Sequence, residues 1–213
     1  MGAGLLGECA FLNLVFRVDA SPKIGTGHLM RCLTLGNFAM SVGHKVCFAL
    51  RDPSCNIQKL FKSSNINLIS LYTSKPKLKY SETPANYSNW LPVSQEQDAV
   101  EFNSRLSSIK PDWVVVDHYA IDSSWHELVK PITPRLMVID DLANRDLFCD
   151  LLLDQNIGAN FSKYEMKLVS RNTTCLFGPE FSLIRNEFTL WREYSKHRRL
   201  GAKEIKRVLI TLG

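Results

Sequence analysis

The sequence predicts an α/β fold, a Rossmann-like parallel sheet with helices on both faces. Three observations predict it. Short, near-continuous apolar runs recur along the chain, as strands buried on both faces do. Stretches with apolar residues at helical spacing separate them. The runs end in polar residues, at the end of a parallel strand where such sheets keep their ligand sites. Alternation of this kind implies crossover helices packed on a parallel sheet.

Each element has its own justification. "FLNLVFRVDA" is an apolar run ending near Asp19 and reads as the first strand. From His28 to Met40 the residues Leu29, Cys32, Leu33, Leu35, Phe38 and Ala39 keep helical spacing, and Gly43 supplies the stop. "KVCFAL" and "INLISL" read as strands around a helical "NIQKLFKSS". The stretch from Tyr72 to Pro92 is polar and without period, a long surface loop of the kind that often carries function. Ser94 is placed to cap a helix through about Ser108. "DWVVVDHY", "RLMVIDD", "CDLLLDQN" and "TCLFG" read as further strands, with "DSSWHELVK" as a short helix. A last helix is expected from Ser182 to His197. "IKRVLITLG" reads as a strand after a basic linker. The expected division is a Rossmann-like domain over 1–200, then over 201–213 a linker and the first strand of a second domain.

The chain has 213 residues, 45% of them hydrophobic, enough for one large domain. Its net charge of +5 is mild and suits an anionic small molecule as well as nucleic acid. The six cysteines form no C-x-x-C pair and no His/Cys group with zinc spacing. The start of the chain lacks a basic segment and is interrupted by Glu8, unlike a secretory leader. No apolar run approaches the roughly 20 residues of a membrane span. The expectation is a cytoplasmic protein with no membrane or nucleic-acid partner.

The polar residues behind the strands outline a site. Asp19 is followed by Ser21, Lys23 and the turn Gly25-Thr26-Gly27-His28. Asp117, His118 and Tyr119 end a second strand, and Asp140, Asp141, Asn144 and Arg145 follow a third. Singly, Asp and Asn are good loop and cap residues. As a set beside a Gly-x-Gly-His turn they point to a binding site. The glycines permit positive φ and close approach of a ligand to the backbone. The helix behind them presents unpaired N–H groups and a positive dipole end to an anion. A dinucleotide fingerprint would need glycine where Met30 stands, and no Gly-Lys-Ser/Thr makes a phosphate-binding Walker loop. His28 is the sharper feature. At a helix N-terminus the dipole disfavours the imidazolium, and a neutral ring can act as base or hydrogen-bond donor, or simply cap and pack. His118 is the second candidate. Arg31, one turn into the helix, faces the same cleft or forms a surface ion pair.

Four stretches together, "FRVDASPKIGTGHLMRCLTL", "VVVDHYAIDSSW", "MVIDDLANRDLFCDLLLDQN" and "CLFGPEFSLIRNEF", carry a resemblance. They resemble the UDP-2,4-diacetamido-2,4,6-trideoxy-β-L-altropyranose hydrolase family of pseudaminic acid biosynthesis, which includes related spore-coat polysaccharide proteins. The resemblance runs from about Phe16 to the last residue. It implies the N-terminal, Rossmann-like domain of a GT-B type fold, with most of the UDP site in a second domain. It implies hydrolysis of a UDP-linked sugar by attack of water on the anomeric carbon, with inversion. The family's histidine matches His28, which becomes the base. The amides of Gly25 and Gly27 would face sugar or diphosphate, and Asp19, Arg31, Tyr119 and Asp141 would contact substrate. No cofactor and no metal are expected. Three other readings remain open: a GT-B glycosyltransferase with a hydroxyl acceptor, a binding module without turnover, and, disfavoured by Met30, a nucleotide-cofactor oxidoreductase.

Overall fold

In the computed structural model, residues 11–72, 87–200, 204 and 208–210 are described. Seven strands form one sheet: β1 (Asn13–Val18), β2 (Lys45–Arg51), β3 (Asn67–Leu71), β4 (Trp113–Asp117), β5 (Arg135–Ile139), β6 (Leu151–Asp154) and β7 (Thr174–Phe177). Their order is β3-β2-β1-β4-β5-β6-β7, and every neighbouring pair is parallel. The helices are α1 (Gly27–Ser41), α2 (Cys55–Ser63), α3 (Gln95–Leu106), α4 (Ser123–Val129), the single turn α5 (Phe161–Tyr164) and α6 (Asn186–Leu200). The predicted α/β class is what the chain adopts.

Strand periodicity divides the core in two. In β4, Val114 and Val116 face one layer with Phe102 of α3 and Trp125 of α4. Val115 faces the opposite layer with Leu29 and Leu33 of α1 and Phe61 of α2. Adjacent side chains on a strand alternate faces, so a strand covered on both sides is apolar at nearly every position. Arg17 breaks this rule. It stands in the central strand β1 with no exposed surface.

The helices begin where local chemistry permits. Ser94 accepts from the Gln97 N–H while the Gln97 side chain returns a bond to the Ser94 backbone, a capping box that starts α3. Gly43 ends the first helix–turn at φ +95°, a conformation that suits glycine. The last helix starts later than the sequence predicts, at Asn186 rather than Ser182. The N–H of Leu183 is donated to Gln155 Oε1, and Leu183 packs on the α1 side of the core, so 182–185 is held off helical geometry. Of the strand expected over 205–213, only 208–210 is described, and there it is irregular and exposed. The rest of that strand and most of the long loop, 73–86, lie outside the described residues. Among the described residues no helix is long and apolar enough to cross a membrane.

Candidate active site

The strand order reverses between β1 and β4, because β1 leads to β2 on one side while β4 and β5 lie on the other. A crevice opens at such a point beyond the strand ends. Asp19 follows β1, Asp117 ends β4, and α1 begins in front of both.

The entry turn is built by Ser21 and Gly25. The Gly25 N–H donates to the Ser21 carbonyl at 2.7 Å, and the Ile24 N–H donates to Ser21 Oγ at 3.1 Å. Gly25 sits at φ +79°, so this tight closure favours glycine. Gly27 is the first residue of α1. A Cβ placed on either glycine would meet nothing within 4 Å, which leaves their backbone open to a ligand. The N-cap, Thr26, makes no side-chain capping bond, and the first turn of α1 holds no acidic residue. The positive end of this helix is therefore not neutralised from within.

His28 is buried, with a side chain 10% exposed. Its Nδ1 lies 2.6 Å from Asp117 Oδ1. Asp117 is fully buried and takes two more charged hydrogen bonds from Arg31, from Nε to Oδ2 and from a terminal nitrogen to Oδ1, each 2.6 Å. Burial alone would push the Asp117 carboxyl up, but the hydrogen bonds from Arg31 and then His28 outweigh it and bring it to about 2. Asp117 is thus ionised and can only accept. The short contact to Nδ1 requires the ring proton on Nδ1, which makes Nε2 the basic nitrogen. Among the described residues nothing hydrogen-bonds to Nε2.

Arg31 continues to Asp141 Oδ2 at 3.3 Å, and the Tyr119 hydroxyl donates a short hydrogen bond to Asp141 Oδ1. Burial, then the neighbouring Asp141 carboxylate, hold the Tyr119 phenol well above its ordinary value. Aromatic rings enclose the histidine. Tyr119 meets it edge-on at 4.5 Å and Trp90 at 5.6 Å, and Trp90 stacks on Tyr119 at 5.3 Å. Tyr87 closes the cluster against both.

The structure thus brings Gly25, Gly27, His28, Arg31, Tyr119 and Asp141 together. It places Asp19 differently. Asp19 lies beneath the crevice, 3% exposed. Its oxygens are taken by Arg17, by the Arg51 N–H and by His118 Nε2. It is a support rather than a surface that substrate reaches. His118 is equally committed: Nε2 donates to Asp19 and Nδ1 accepts from the Ala120 N–H. Beneath lies a buried charge cluster, with Arg17 forked between Asp19 and Asp98, and Asp98 also bonded by Arg51 and the Trp125 indole. Asp140 does not join the site; Arg145 and Tyr164 hold it. Sequence reasoning did not single out Trp90, Tyr87 or the Arg17–Asp98 cluster. One signal was legible: an arginine inside an apolar strand needs a buried partner.

Two hollows lie away from His28. One, of about 770 Å³, runs between α1, α2 and the start of α6, and one of about 520 Å³ borders Arg51 and α3. Among the described residues no group of three His, Cys, Asp or Glu side chains could hold a metal ion.

No family model matches the chain. An uncharacterized protein of Methanocaldococcus jannaschii is 21% identical over 203 residues. The match covers 95% of this chain and 37% of that protein, so the chain spans little more than a third of this relative's length. Among solved structures, MurG of Acinetobacter baumannii aligns at a TM-score of 0.48 and 9% identity, over 69% of this chain and 42% of its own. The glycotransferase of kitacinnamycin aligns at 0.38 and 16%, over 61% and 30%. None of these three is described as a hydrolase.

Proposed function

We propose that the chain carries the catalytic base of an enzyme acting on a nucleotide-linked sugar, and that His28 is that base. The observation that supports it is the Asp117–His28 hydrogen bond at the head of α1, which commits Nδ1 and reserves Nε2. The nucleophile's proton passes to Nε2 as its oxygen bonds to the anomeric carbon. The bond from that carbon to the diphosphate oxygen breaks, and the nucleoside diphosphate leaves with the electron pair. Attack opposite the leaving group inverts the configuration. Among the described residues no side chain caps the N–H groups at the start of α1, and such a helix end suits an anionic diphosphate. The aromatic ring edges around His28 suit an apolar, deoxygenated sugar bearing acetamido groups.

Water as nucleophile follows from the motif resemblance and makes the enzyme a UDP-sugar hydrolase of pseudaminic acid formation. A hydroxyl acceptor would make it a glycosyltransferase with the same base and the same donor class. Phosphorus NMR separates the two: UDP accumulating from the UDP-linked diacetamido sugar with no acceptor identifies the hydrolase. UDP release that requires an added sugar acceptor identifies the transferase.

A further inference from the structure

The family resemblance implies that Arg31 contacts substrate, but its main bonds turn inward. Its two 2.6 Å bonds go to Asp117, the carboxylate that holds His28. One terminal nitrogen also stands 3.2 Å from His28 Nδ1. That nitrogen can only donate, and Nδ1 carries a proton directed at Asp117, so the approach is no hydrogen bond. It sets a fixed positive charge against the ring.

From this we infer that Arg31 is a positioning residue that keeps His28 a neutral, Nδ1-protonated imidazole by neutralising Asp117 and by standing against the ring. The inference rests on the reading of His28 as base. An unneutralised buried carboxylate beside a histidine favours the imidazolium, which has no lone pair for a nucleophile's proton. Arg31 removes most of that pull while leaving the hydrogen bond that orients the ring.

The groups facing the ring among the described residues are few. Asp117 comes from the end of β4 and Arg31 from the next turn of α1. Tyr119 and Trp90 supply ring edges, and the Tyr119 phenol stays un-ionised. Cys32 donates its thiol proton to Asp117 Oδ2 at 3.5 Å. Asp141 reaches the assembly only through Arg31 and Tyr119.

The test is nitrogen NMR of the full chain labelled with ¹⁵N-histidine, at pH 7 and without substrate. The wild type should show His28 protonated on Nδ1 and bare on Nε2. Arg31→Met should raise the imidazolium fraction of His28 severalfold, because the carboxylate is then left without its counter-charge. Arg31→Lys retains the charge without the fork and should keep the ring neutral, an outcome a purely structural role does not predict. A wild-type proton on Nε2, a wild-type imidazolium, or an unchanged ring in Arg31→Met would overturn the inference. The wild-type and Arg31→Lys spectra decide it if Arg31→Met does not fold. Because no turnover is read, a failed catalytic reading would show in the UDP assay and not here.

Discussion

At the scale of single residues, the site separates two kinds of carboxylate. Asp19 and Asp117 are both buried at the carboxyl ends of neighbouring central strands, yet only Asp117 faces His28. Asp117→Asn would remove the negative charge that pairs with Arg31 and put an amide NH2 donor in place of one of the two acceptor oxygens shared by His28 and Arg31, so the His28 tautomer would no longer be fixed. Turnover should fall mainly in kcat, with KM little changed, since Asp117 sits behind the ring rather than against substrate. Stability should fall by about 3 kcal/mol, the low end for breaking a buried pair, because Arg31 retains Asp141. Steady-state kinetics with urea unfolding would check both. A KM rise with unchanged kcat would contradict the positioning role. From sequence alone Asp19 and Asp117 look alike. What distinguishes them is which face of its strand each side chain leaves from, and that depends on tertiary packing.

At the scale of elements, the turn into α1 predicts opposite behaviour for its two glycines. Gly25→Ala forces a Cβ into positive φ and should cost about 1 kcal/mol. Gly27→Ala occupies the first helical position with open space around it and should change stability by less than about 0.5 kcal/mol. The methyl added by Gly27→Ala would stand where a ligand approaches, so UDP-sugar affinity should drop in that variant. Isothermal titration beside thermal unfolding reads both. Equal stability loss in the two variants would contradict this account of the turn. These elements were legible in the sequence because period and punctuation agree: α1 runs where its apolar spacing and Gly43 put it. The start of α6 was not legible, since the bond from Leu183 to Gln155 is a contact 28 positions away. The Trp90 turn was missed for a similar reason. It is one short helical turn at the end of a polar stretch, without period, and only the folded chain sets it against His28.

At the scale of the whole molecule, buried polar groups make the fold sensitive to acid. His126 on α4 has no exposed surface, accepts from the Phe148 N–H through Nδ1, and has an unpaired Nε2. Burial, then the Arg145 charge, lower it from 6.5 to about 3. The unfolded chain therefore binds a proton that the folded chain refuses between those values. Its contribution to stability is intact above about pH 6.5 and drains away as pH falls toward 3. Asp117 adds a further loss below its ordinary 3.8, complete near 2. His126→Asn keeps an acceptor for Phe148 and removes the titration. It should flatten the loss between about pH 7 and about pH 4.5, read by urea unfolding at the two values. An unchanged acid loss would contradict this account.

The fold serves one arrangement, a buried carboxylate that orients a histidine where the sheet order reverses. The most direct measurement is UDP release from the UDP-linked diacetamido sugar, followed by phosphorus NMR, for the wild type and His28→Ala, each supplied with the second domain that the motif resemblance implies. Asp117 keeps Arg31 in that variant, so a single cooperative unfolding transition should persist. The account predicts release by the wild type and a loss of at least about 100-fold in the variant. Near-normal release by a folded His28→Ala would contradict it.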